Sequence, residues 1–64
     1  MSQKRLGQII REAREKAGLS QEELARRVGL TQGALSFIER GAVEPRLSTL
    51  LRLFDVLGLS PEVL

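Results

Sequence analysis

The chain has 64 residues, 42% hydrophobic and 28% charged, with ten Lys+Arg against eight Asp+Glu and neither Cys nor His. That is enough for one globular domain, not a disordered segment, and its formal net charge is only +2. The missing Cys and His exclude disulfides, thiolate or imidazole zinc sites, Cys nucleophiles and every Ser-His-Asp constellation.

Residues 1–64 are expected to form a single all-α domain. From Gln3 to Ala17 the apolar residues Leu6, Ile9, Ile10, Ala13 and Ala17 fall on one helical stripe. Ser2 is placed to cap it and Gly18 to close it. The second helix opens on Ser20-Gln21-Glu22-Glu23, a capping box, turns Leu24, Ala25 and Val28 inward, and ends at Gly29. The third opens on the cap Thr31, buries Leu35 and Ile38, and ends at Gly41. After the loop Ala42-Val43-Glu44-Pro45, a fourth helix runs from Arg46 or Leu47 to Leu57. Its expected core stripe is Leu47, Leu50, Leu51, Phe54 and Leu57. Gly58 closes it, and Ser60-Pro61-Glu62 reads as the cap and first turn of a short fifth element. No stretch alternates with period two, and there is no internal repeat.

A domain this small leaves little room for a substrate pocket beside its core. No paired carboxylates share a face at catalytic spacing, and no phosphate-cradling glycine loop or metal set occurs. An enzyme is therefore not expected, nor any cofactor or metal. The longest apolar run is far shorter than the ~18 residues of a membrane span. Met1-Ser2-Gln3-Lys4-Arg5 leads into a charged helix rather than an apolar signal region. The expected compartment is the cytoplasm, with no membrane partner.

Only Gly29 and Leu30 separate Val28 from the cap Thr31, the spacing of a helix-turn-helix or of any tight αα-hairpin. The third helix separates these readings. Opposite Leu35 and Ile38 it carries Gln32, Gly33, Ser36, Phe37 and Arg40 rather than the Glu/Lys pairs of a plain solvated face. Small residues let a helix approach a groove closely. Gln addresses an adenine edge, Ser offers a donor or an acceptor, and Phe meets a thymine methyl. Phe37 equally fits packing on the edge of the core. Gly33 offers no side chain to read with. Arg14 and Glu39 each flank an apolar stripe, which fits a partly buried pair better than two surface charges.

The segments Gly18-Leu19-Ser20-Gln21-Glu22-Glu23-Leu24-Ala25, Val28-Gly29-Leu30-Thr31-Gln32 and Leu35-Ser36-Phe37-Ile38-Glu39-Arg40-Gly41, with Pro45 and Leu57-Gly58-Leu59-Ser60, resemble the Cro/C1/Xre helix-turn-helix family. The likeness runs from about Leu6 to Leu64. It implies a compact lambda-repressor-like fold of four to five helices, with helices 2 and 3 as the DNA-binding unit. It implies double-stranded DNA as partner, a pseudo-palindromic operator, and a transcriptional regulator, most often a repressor, of a bacterium, archaeon or phage. Gln32, Gly33, Ser36 and Phe37 match positions that face base edges. Gln21, Thr31, Arg40 and Arg46 match or lie near positions that meet phosphates, and Arg14 is counted with them. Arg14 and Glu39 also match a salt bridge that ties the first helix to the recognition helix.

Binding in this family is usually dimeric. Leu53, Val56, Leu59, Val63 and Leu64 lie off the expected core stripe and form the candidate homodimer interface. The run from Arg46 to Phe54 also resembles antitoxins that pair with HipA-type kinase toxins, which makes a toxin a second possible partner. A protein-interaction module of the same fold, one that never reads bases, is the remaining alternative. Its binding would respond weakly to salt, whereas phosphate contacts respond steeply.

Overall fold

In the computed structural model, which describes residues 2–63 apart from the side chain of Val63, four α-helices follow one another: α1 Gln3–Lys16, α2 Gln21–Val28, α3 Gln32–Glu39 and α4 Leu47–Leu57. A 3₁₀ turn, Pro61–Val63, follows. No strand occurs among the described residues, and none of their helices is long and apolar enough to cross a membrane.

The helix ends form where the cap residues dictate. Ser2 Oγ accepts from the Arg5 amide and Thr31 Oγ1 from the Ala34 amide, both at 3.1 Å. The Ser20 box closes in both directions: Ser20 Oγ accepts from the Glu23 amide at 3.0 Å, and Glu23 Oε1 accepts from the Ser20 amide at 3.2 Å. These bonds hold the Glu23 carboxyl below the usual carboxylate range. Ionised Glu23 therefore stabilises the fold above the carboxyl's unfolded value, and that contribution is lost as pH falls through the lower folded value. In thermal melts scanned downward from pH 7, Glu23→Gln is expected to give a shallower acid limb than the parent; an unchanged limb contradicts the box as a titrating element.

Leu6, Ile10, Leu24, Ala25, Val28, Leu35, Ile38, Leu53 and Phe54 form the core. α1 packs on α3 and α4, and α2 packs on the same two. Leu53 is fully buried, whereas Leu47 and Leu51 are 70% and 52% exposed. The expected stripe on α4 is thus rotated: Leu50, Leu53, Phe54 and Leu57 face inward, and Leu47 and Leu51 do not. This removes Leu53 from the candidate dimer interface, because a side chain with no exposed surface has nothing to offer a partner. Val56 and Leu59 are half-buried against the core. The Val63 side chain and Leu64 lie outside the described residues.

Gly7 in α1 is buried, and a side chain there would run into the main chain of α3. A Cβ at this position would collide with the Ile38 carbonyl oxygen and stand 2.6 Å from that of Glu39. The helix tolerates the propensity cost of glycine, about 1 kcal/mol, because the two backbones touch here. This contact sets how closely α1 sits against the C-terminal end of α3.

Candidate nucleic-acid interface

The turn between α2 and α3 is tight because Gly29 has φ 74°, a left-handed conformation that side chains disfavour. The Leu30 amide donates back to the Ala25 carbonyl at 2.8 Å. The chain turns within Gly29-Leu30, and Thr31 caps α3 at once. α3 is anchored by buried Leu35 and Ile38, which presents Gln32, Gly33, Phe37 and Arg40 to solvent, with Ser36 half-buried between them. No acidic residue interrupts this exposed face, since the one acid on α3, Glu39, is 7% exposed and turned inward. The face is free of acids and open to approach.

Glu39 organises the layer beneath it. Arg14 Nε donates to Glu39 Oε2 at 2.8 Å and Arg14 Nη2 donates to Glu39 Oε1 at 3.1 Å, a bidentate fork. Arg14 Nη1 donates to the Leu19 carbonyl at 2.9 Å. The side chains are 11% and 2% exposed. Gln21 Nε2 completes the set, donating to Glu39 Oε1 at 3.0 Å. The hydrogen bond to Glu39 is the main reason the Arg14 guanidinium is held above its usual value, against the opposing effect of burial. One carboxylate on α3 thus binds α1 through Arg14 and the first turn of α2 through Gln21. Among the described residues no buried side-chain polar atom lacks a partner.

Two sequence expectations change here. Arg14 is not available to a phosphate, because all three of its nitrogen groups are engaged inside the protein. Gln21 turns its amide nitrogen to Glu39, so a phosphate approaching α2 meets the main-chain N–H groups of its first turn instead. Thr31 keeps the α3 end ordered, its hydroxyl oxygen accepting from Ala34. Arg46 is exposed at the start of α4 and makes no side-chain cap there, and Arg40 is exposed at the end of α3. Among the described residues neither is paired with a carboxylate. No cluster of Asp and Glu suited to a metal ion occurs among the described residues.

Residues 10–64 match the family described as Helix-turn-helix. The chain belongs to this Cro/C1-type helix-turn-helix family. Over 54 residues, 84% of the chain, it is 46% identical to the HTH-type transcriptional regulator PuuR of Escherichia coli K12, and it spans 29% of that protein's length. The crystal structure of the restriction-modification controller protein C.AhdI from Aeromonas hydrophila superposes with a TM-score of 0.87 at 37% identity, covering 94% of this chain and 91% of that one. The clp gene regulator ClgR from C. glutamicum superposes with a TM-score of 0.84 at 33% identity, covering 91% and 75%. The all-α architecture is thus the lambda-repressor-like fold, and the family is one of transcription-regulator domains rather than of enzymes. Within this helix-turn-helix domain, α2 and α3 are the helix pair that names the family.

Proposed function

We propose that this chain is the sequence-specific DNA-binding domain of a transcriptional repressor, acting as a homodimer with α3 in the major groove of a pseudo-palindromic duplex. The observation that carries this reading is the outer face of α3. Gln32, Gly33, Ser36 and Phe37 stand clear of acidic groups, on a helix locked from behind by the Arg14–Glu39–Gln21 network. α2 sets the domain on the phosphate backbone through its N-terminal amides, and Arg46 adds a cation beside the groove.

Base and backbone contacts respond differently to mutation. Gln32→Ala is expected to weaken operator binding by about 1–3 kcal/mol and to relax one base position. Arg46→Ala is expected to weaken all duplexes alike and to reduce the salt slope by about 1. Fluorescence anisotropy on matched and scrambled duplexes reads both. A sequence-selective loss for Arg46→Ala, or a uniform loss for Gln32→Ala, contradicts the assignment.

The homodimer is supported by apolar surface that the fold leaves uncovered, chiefly Leu47 and Leu51 on α4. The domain measures 26 × 22 × 20 Å. Two copies side by side therefore fit half-sites one DNA turn apart, about 34 Å. Sedimentation at high micromolar concentration is expected to show a dimer that Leu51→Glu dissociates, with melting temperatures that agree once both proteins are dilute enough to be monomeric. A monomer under those conditions, with no dimer on DNA, contradicts it. Exposed Phe37 and Val43, 48% and 45% accessible, favour one second reading. In it this surface holds a protein, of which an antitoxin holding its toxin is one form. Binding that barely responds to salt would favour that reading over DNA.

A further inference from the structure

Two side chains on the outer face of α3 are joined in a way their spacing in the sequence does not disclose. The Arg40 guanidinium carbon lies 4.8 Å from the centroid of the Phe37 ring. Arg40 Nε donates to the Ser36 carbonyl at 3.4 Å, which fixes the near edge of the guanidinium to the helix. Among the described residues Arg40 has no carboxylate partner, and its two Nη groups make no hydrogen bond. The ring is 48% exposed, so it supports the guanidinium without being hidden in the core. The result is a contiguous pair: an exposed apolar ring with a guanidinium carbon over its face.

We propose that Phe37 and Arg40 read one dinucleotide step as a unit, a T·A pair stacked on a G·C pair. This rests on the reading that α3 enters the major groove, and it moves Arg40 from a phosphate to a base. The fork of an arginine matches guanine O6 and N7 when it lies in the plane of that base. The ring centroid lies 4.8 Å from the guanidinium carbon, more than one base-pair spacing of about 3.4 Å and less than two, so the ring falls at the neighbouring pair. A phenyl ring has no hydrogen-bonding group, and the apolar feature of the major-groove edge is the thymine methyl. The pair therefore addresses adjacent levels of the stack, Arg40 one guanine and Phe37 one thymine.

The test uses a duplex selected by this chain from a random pool, with deoxyuridine replacing each thymidine in turn and 7-deazaguanine each guanine. One deoxyuridine is expected to weaken the parent about fourfold, the value of one methyl group, and to leave Phe37→Ala unaffected. A 7-deazaguanine at the adjacent pair is expected to weaken the parent at least about fivefold and to leave Arg40→Ala unaffected. Arg40→Ala loses the guanine preference, whereas Arg46→Ala, which removes a charge of the same sign, keeps it. Both residues are exposed, and unchanged thermal melts check that the variants fold. If Arg40→Ala retains the parent's base preference, or no deoxyuridine position matters, the unit is wrong although α3 still binds DNA. Retention of DNA without any enriched sequence overturns it in the same way, and failure to retain DNA at low salt overturns the groove reading as well.

Discussion

Glu39→Ala is expected to lower the stability of this domain by about 3–5 kcal/mol, because it leaves the Arg14 guanidinium partly buried with no counter-charge. The carboxylate accepts three hydrogen bonds, two from Arg14 and one from Gln21, and the side chain is 2% exposed. Removing it strands donors on two helices at once. A domain of this length has a total stability of roughly 3–10 kcal/mol, so the variant sits near the edge of folding. Each kcal/mol corresponds to about 4–8 °C at this size, which puts the fall in melting temperature beyond about 12 °C. Replacing both charges together, Arg14→Met with Glu39→Leu, is expected to recover most of the loss, since no charge is then left unpaired. A single Glu39→Ala variant that melts within a degree or two of the parent contradicts the network as the clamp on α3.

Gly7→Ala is the second large effect, and it is opposite to what helix propensity alone predicts. On an exposed helix the change stabilises by about 1 kcal/mol. Here the new Cβ meets main-chain oxygens of Ile38 and Glu39, which have no rotamer through which to move aside. Overpacking of this kind costs about 1–3 kcal/mol, and relief requires α1 to lift from the end of α3. That motion pulls on the Arg14–Glu39 fork, so Gly7→Ala is expected to loosen DNA binding as well as lower the melting temperature. Gly33→Ala, with open space around it, is the control and is expected to raise the melting temperature slightly. Equal gains at both positions contradict the close approach.

Local signals carried most of this fold. Ser2, Ser20 and Thr31 are hydrogen-bonding residues directly before apolar periodic runs, and each caps the helix it precedes. The Arg14–Glu39 pair was legible because each residue borders an apolar stripe. α4 was less legible because it has leucine on several sides. Leu47, Leu50, Leu51, Leu53 and Leu57 allow two stripes, and only packing against α1 and α2 selects the one through Leu53. Gly7 carried a signal that periodicity overlooks: a glycine between Leu6 and Ile10 in a helix marks close backbone approach. The Gln21–Glu39 bond and the Phe37–Arg40 stack depend on side-chain direction across or along helices, which spacing alone does not fix. Arg14 illustrates the converse, since its charge suits a phosphate but its burial commits it to Glu39.

The most direct test of α3 as a base-reading helix is selection from a random duplex DNA library, with the retained pool sequenced at two salt concentrations. The expected result is an enriched pseudo-palindrome with half-sites one turn apart, its affinity falling steeply as salt rises. Failure to retain DNA even at low salt would contradict the account.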